Sequence, residues 1–219
     1  MYVDSTKLTP NQALRAAARE QLKGKWGKAV LVALLYMVIV GVIGGIIPIV
    51  GGLIVLFITG PLLLGVVGFF LRIKRGEEAT VENLFDGFKC FVPSMVLYLL
   101  TYLFILLWSL LLIIPGIIAS LRYSQAFFIM KDNPEIKAMD AIKQSKEMME
   151  GNKSKLFLLW LSFIGWAILA AIPFGIGFLW LIPYIKTTMA NFYEDLKNAI
   201  QQPGTSAVDD TAASTTTTV

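Results

Sequence analysis

Two basic side chains stand inside stretches that are otherwise apolar: Arg122 in "LLLIIPGIIASLRYSQAFFIM" (110 to 130) and Lys186 in "LWLIPYIKTTMANFYEDL" (179 to 196). A cation at membrane depth costs roughly 2.5–3.5 kcal/mol on insertion scales and marks a functional site by default. Each stands four residues before an alanine, Ala126 and Ala190. Matching those alanines puts both cations at one depth, about 12 Å inside the cytoplasmic edge at helical rise. Together they could hold an anionic lipid headgroup or a small anion, with Ser124 and Gln125 as neutral hydrogen-bonding groups beside them. The competing use of both cations is snorkelling to the interface, or pairing with carbonyls freed at Pro115 and Pro183.

Other chemistry is poorly supplied. The chain has no histidine and one cysteine, Cys90, which excludes an internal disulfide and removes the usual general base and the commonest metal ligand. No acid lies inside an apolar block, so a proton relay has no carboxylate and a serine has no base to activate it. Ser94, Thr101, Ser109, Ser120, Ser124, Gln125 and Ser162 therefore read as helix-packing groups. No catalytic residue, metal or cofactor is expected.

The elements that must position these residues follow from composition. Of 219 residues, 56% are hydrophobic and only 16% charged, a balance that excludes an ordinary soluble domain. Charge-free runs extend over 29 to 71, 90 to 121 and 156 to 185, each longer than the ~20 residues a crossing helix needs. Pro or Gly interrupts each: Pro48 within "GGIIPIVGG", Pro115-Gly116, and Pro173 within "IPFGIG", with Pro183 further along the last block. The expected fold is an all-α membrane bundle of six segments in three helical hairpins, about 29–71, 91–130 and 156–193. Three amphipathic helices accompany them on the cytoplasmic surface. The first lies within residues 1–28, started by Thr9-Pro10; the second carries the stripe Leu84, Phe85 and Phe88 after Thr80; the third starts at Asn133-Pro134, carries Ile136, Met139, Ile142 and Met149, and ends at Gly151. The membrane domain spans 29–197, and the Thr-rich stretch 198–219 reads as a disordered tail. A signal-peptide layout is lacking, so the first span should be retained.

Charge distribution orients this bundle. Of the 19 Lys and Arg, six precede Ala29, four lie from Arg72 to Lys89, seven from Arg122 to Lys155 and two from Lys186 onward; the breaks around Pro48 and Pro173 carry none. Three hairpins place every basic segment on the cytoplasmic side, with both termini inside. A mere kink at Pro115 would instead send the six lysines from Lys131 to Lys155 outward. A turn at Pro115-Gly116 is therefore expected, and its cost is a short fourth arm. Residues 117–130 reach only about 21 Å at helical rise, under a ~30 Å core.

A period of 63 and 64 residues relates Gly24, Gly87 and Gly151, each after a surface helix and before an apolar arm. "GFF" (68–70), "AFF" (126–128) and "ANF" (190–192) recur near the ends of the second arms. A three-fold internal repeat is the expectation this raises.

The patches "RAAAREQLKGKWGKA" (15–29), "LFDGFK" (84–89), "LLIIPGII" (111–118), "YSQA" (123–126), "DNPE" (132–135), "AIKQSKEMMEG" (141–151), "LSFIGW" (161–166), "LWLIPY" (179–184) and "FYEDL" (192–196) together resemble the bacterial membrane proteins grouped as domain of unknown function 975. That resemblance covers roughly residues 10–198. It implies an integral membrane protein of the bacterial cell membrane with no activity or catalytic residue to carry over. A fainter likeness to the membrane portions attached to some glycerophosphodiester phosphodiesterases would suit a lipid-associated role.

The expected function is non-enzymatic: binding a lipid or amphipathic molecule, or supporting a membrane partner. The second class is a transporter or export channel for a small amphipathic or anionic solute, and an intramembrane enzyme comes third. Expected partners are membrane lipids, anionic ones included, and a further copy of the chain or another membrane protein. Nucleic acid is not among them, because Glu and Asp alternate with Lys through the same helices.

Overall fold

The computed structural model describes residues 8–46, 48–172 and 175–201, and among these it is helical without a strand. The order is α1 (Asn11–Leu22), α2 (Trp26–Ile46), α3 (Pro48–Arg75), a 3-10 segment (Val81–Cys90), α4 (Phe91–Leu111), α5 (Ile113–Tyr123), α6 (Ala126–Asp132), α7 (Ala138–Met148), α8 (Lys153–Ala171) and α9 (Phe178–Gln201). Five stretches are long and apolar enough to cross a membrane by length and composition: Trp26–Gly45, Gly51–Arg75, Val81–Leu111, Ile113–Asp132 and Lys153–Ala171. The expected sixth arm is α9, which is not among them because Lys186, Glu194, Asp195 and Lys197 interrupt its apolar character. Its helix continues to Gln201, so the tail expected from residue 198 is helical for its first four residues. Residues 202–219 and Pro173 lie outside the described part.

Pro48 and Pro115 take places where a missing N–H costs least, Pro61 and Pro183 stand inside α3 and α9, and two of the expected breaks are thereby corrected. Pro48 is the first residue of α3, where the amide would be unsatisfied anyway. The helix breaks at Leu112, whose backbone is extended (φ −160°, ψ 148°), and Pro115-Gly116 lie inside the first turn of α5. Their role is close packing, because a Cβ on Gly116 would stand 2.9 Å from the Cα of Ser109 on α4. The fourth arm consequently runs from Ile113 to Asp132, 20 residues rather than 14, which removes the expected shortfall against a bilayer core. Pro183 does not break α9, which runs through it; one turn later the Thr187 hydroxyl donates to the Pro183 carbonyl at 2.9 Å.

Glycine lets backbones meet. Gly65 of α3 and Gly87 of the 3-10 segment face across one contact, where a Cβ on Gly65 would overlap the Leu84 carbonyl and a Cβ on Gly87 the Pro61 carbonyl. The expected second surface helix is thus a 3-10 segment pressed onto α3, and only Leu84 of its stripe is buried. Phe85 and Phe88 remain 47% and 38% exposed. Gly24 and Gly151 both take positive φ (72° and 80°) and turn α1 into α2 and α7 into α8, whereas Gly87 does not.

Helix α1 does not stand apart from the bundle. Thr9 donates from both its amide and its hydroxyl to Asp195 at 2.8 Å, and Asn191 Nδ2 donates to the Leu14 carbonyl at 3.2 Å, so α1 runs antiparallel along the polar half of α9. Its start lies at Asn11, and Thr9 binds α9 rather than capping. Leu14, Ala18 and Leu22 are buried against the shared core. Likewise α7 begins at Ala138, four residues beyond Pro134, with Ile136, Ile142 and Met149 buried and Met139 exposed.

Three helices meet through charge. Arg75 at the end of α3 donates to Asp132 at the end of α6 (2.7 and 2.9 Å) and to Glu194 of α9 (2.6 and 2.8 Å). Asp132 also accepts from Lys197 at 2.5 Å and from the Tyr193 hydroxyl at 3.0 Å. Replacing Asp132→Asn should therefore cost about 1.5–3 kcal/mol, the range for a hydrogen bond to a charged group. A thermal midpoint in detergent equal to that of the wild type would show that the cluster is only decorative.

Candidate functional site

The arm that carries Arg122 breaks where α5 gives way to α6, at Ser124 and Gln125. The break frees backbone groups at the end of one helix and the start of the next. Ser145 of α7 satisfies both sides: its hydroxyl donates to the Arg122 carbonyl at 2.8 Å and accepts from the Gln125 amide at 3.1 Å. Three other hydroxyls on the apolar helices bond within their own helices, Ser94 to Cys90, Ser120 to Ile117 and Ser162 to Leu159, at 2.6–2.7 Å, whereas the Thr101 hydroxyl is buried without a partner. The three serines relieve carbonyls one turn back instead of tying helices together.

The break opens beside a cavity of about 250 Å³. Leu63, Val67 and Phe70 of α3 form one wall, Ser124 with Phe127 and Phe128 a second, and Trp160 of α8 with Ile185, Lys186 and Met189 of α9 the rest. A second cavity of about 370 Å³ runs along the α8–α9 pair, past Phe163, Ile164 and Ala167. Trp160, Ile185 and Lys186 line both, so the Lys186 side chain stands at their common wall. It is partly buried, and among the described residues no acceptor or carboxylate pairs with it. A lone ammonium in an apolar cavity favours an anionic group that brings its own apolar body.

The four residues expected to form one site separate accordingly. Ser124 and Lys186 share the smaller cavity, and the Ser124 hydroxyl donates to the Leu121 carbonyl at 2.8 Å while accepting from Gln125 Nε2 at 2.9 Å. Gln125 is fully buried behind Ser124, with its Oε1 unpartnered. Arg122 lines neither cavity; it closes the last turn of α5, where a cation complements the helix dipole, and its Nε is buried without a partner. No group of His, Cys, Asp or Glu able to hold a metal occurs among the described residues.

Sequence reasoning missed Ser145 and the walls supplied by α3 and α8. Ser145 had a signal, since it is the one polar residue on the buried stripe Ala138, Ala141, Ile142, Ser145 and Met149. Ser145→Ala would leave a buried carbonyl and a buried amide unmatched, and should destabilise the fold by about 1–3 kcal/mol for each group. Thermal unfolding in detergent checks this, and a shift under a degree would mean that water replaces the hydroxyl.

Comparison with known proteins places the chain in a family. The family model described as "Protein of unknown function (DUF975)" matches residues 8–118 and 109–200, and the chain belongs to that family. Neither a curated protein nor a solved structure matches.

Proposed function

We propose that this member of the DUF975 family is a non-enzymatic, multi-pass protein of the bacterial cell membrane that binds an amphipathic molecule with an anionic headgroup. The observation that carries the reading is Lys186, unpaired at the junction of two apolar cavities. A structural cation at such depth would be expected to carry a counter-charge. The acids of the polar end, Asp132 and Glu194, are engaged with Arg75, and Asp132 with Lys197 as well. Lys186 is left for a ligand.

The proposed setting is six membrane segments in three hairpins, α2–α3, α4 with α5–α6, and α8–α9, with both termini cytoplasmic. Three tip contacts support it: Gly44 against Val55, Gly116 against Ser109, and Gly177 against Ala170. The opposite ends gather the charged groups, through Arg75 with Asp132 and Glu194 and through Asn11 with the Lys155 carbonyl. An internal repeat is supported by the positive φ of Gly24 and Gly151 and by the meeting of the second-arm ends at Arg75, Asp132 and Glu194.

Native mass spectrometry after incubation with phosphatidylglycerol tests the site. Lys186→Gln should weaken retention about fivefold, the factor for one basic contact to an anionic headgroup, whereas Arg122→Gln should leave it within twofold. Equal retention by wild type and Lys186→Gln would end the binding proposal. For the topology, a single cysteine at Lys143 in a Cys90→Ser background should resist an impermeant maleimide applied to sealed cells. Strong labelling from outside would overturn the three-hairpin arrangement.

A further inference from the structure

On the other side of the α8–α9 pair lies a trough of about 360 Å³ that shares only Leu181 with the cavities at Lys186. Its walls gather three of the five tryptophans, Trp26, Trp166 and Trp180, together with Tyr184. Arg19 of α1 is the one charged residue on its rim.

The placement of Arg19 follows from α1 itself. The contacts of Thr9 with Asp195 and of Asn191 with Leu14 run α1 back along α9, and the next step of the same register brings Arg19 beside Tyr184. Arg19 is exposed, and the adjacent acid, Glu20, is engaged with Lys23 at 2.7 Å. Among the described residues no carboxylate pairs with Arg19. Below it the trough is apolar, with Trp166 and Trp180 each about half exposed (48% and 52%) into it and Leu169 and Ala170 as floor. Gly177 packs so closely on Ala170 that a Cβ there would stand 2.6 Å from the Ala170 Cα, which closes the trough at its far end.

We infer that this trough seats one anionic phospholipid of the surrounding bilayer, its phosphate on Arg19 and an acyl chain along Trp166 and Trp180. Charge complementarity selects the occupant. A guanidinium at one end meets a phosphate, while the indoles suit the boundary between headgroup and chain. A soluble anion would leave the apolar floor uncovered, and a second protein helix would need a carboxylate at this one point, which a phospholipid supplies in every copy as its phosphate. The inference rests on the bilayer placement proposed above and is independent of any occupant at Lys186.

Tryptophan quenching by brominated phosphatidylglycerol in mixed micelles tests it. In the full chain, one variant keeps only Trp180 and a control keeps only Trp108, which is 44% exposed on α4 and outside the trough, the other tryptophans being replaced by phenylalanine. Trp180 should be half-quenched at a bromolipid fraction about fivefold below that for Trp108, and Arg19→Gln should abolish the difference. Arg19→Lys, which keeps the charge, should restore at least part of it, and Lys186→Gln should leave it unchanged. Equal quenching of Trp180 and Trp108, or an Arg19→Gln variant that quenches like its parent, overturns the inference. So does a loss at Arg19→Gln that lysine does not rescue, because it points to packing rather than to charge, and so does a loss produced by Lys186→Gln.

Discussion

Hydrocarbon offers no partner to a backbone N–H or C=O, and the architecture follows from keeping such groups satisfied wherever a helix is interrupted. Pro48 and Pro115 sit in first turns, where the absent amide removes no helical bond. The interruption in mid-arm at Ser124 and Gln125 is covered by a hydroxyl from another helix, and this explains why α7 packs against α4, α5 and α6 instead of floating at the surface. An amphipathic helix that only covered apolar area would have no reason to carry Ser145 on its buried stripe. The polar contact gives α7 a register, which the apolar stripe alone leaves loose.

Charge obeys the same constraint in a second way. Asp132 and Glu194 are 15% and 13% exposed at their side chains, and Arg75, Lys197 and Tyr193 divide their lone pairs among them. Removing two charges from water is repaid only when geometry and further hydrogen bonds are good, and here the two acids meet two cations and a phenol. The result ties together Arg75, Asp132 and Glu194 of α3, α6 and α9, which lie seven, six and four residues beyond Gly68, Ala126 and Ala190. Lys186 and Arg19 stand outside this accounting. Both carry charge beside apolar cavities without a carboxylate partner among the described residues, and such a cation is stable where water, lipid phosphate or a ligand can reach it.

The helical character and the apolar arms were legible because each rests on local signals: charge-free runs of sufficient length, and Pro and Gly clusters that bound them. What misled was the use of proline as punctuation. Pro115 and Gly116 mark the region of the break, yet the residue that leaves helical conformation is Leu112, because proline is tolerated just inside a helix start as readily as in a turn. The 3-10 conformation of Val81–Cys90 was invisible, since the apolar spacing of Leu84, Phe85 and Phe88 fits a helix, and only the backbone contact through Gly65 and Gly87 selects the tighter form. Lys186 and Arg122 stood out alike in the sequence, yet Lys186 lines two cavities and Arg122 neither. Both break apolar sequence, but which one faces a cavity depends on helices distant in the chain.

The α8–α9 pair shows how one contact can shape two cavities. At the tip Gly177 allows the helices to touch, whereas lower down the T-shaped pair Phe163 and Tyr184, with ring centroids 5.5 Å apart, sets them at the width of two aromatic rings. Leu181 lies between, and lines both the trough on one face and the larger cavity on the other. Touching at one end and held apart at the other, the two helices form a wedge. A wedge with an aromatic partition leaves an apolar recess on each side, and the chain supplies one cation to each, Arg19 from α1 and Lys186 from α9. Two recesses with the same chemistry on opposite faces of one helix pair fit the proposed binding of amphipathic molecules, and the partition would keep two such occupants apart.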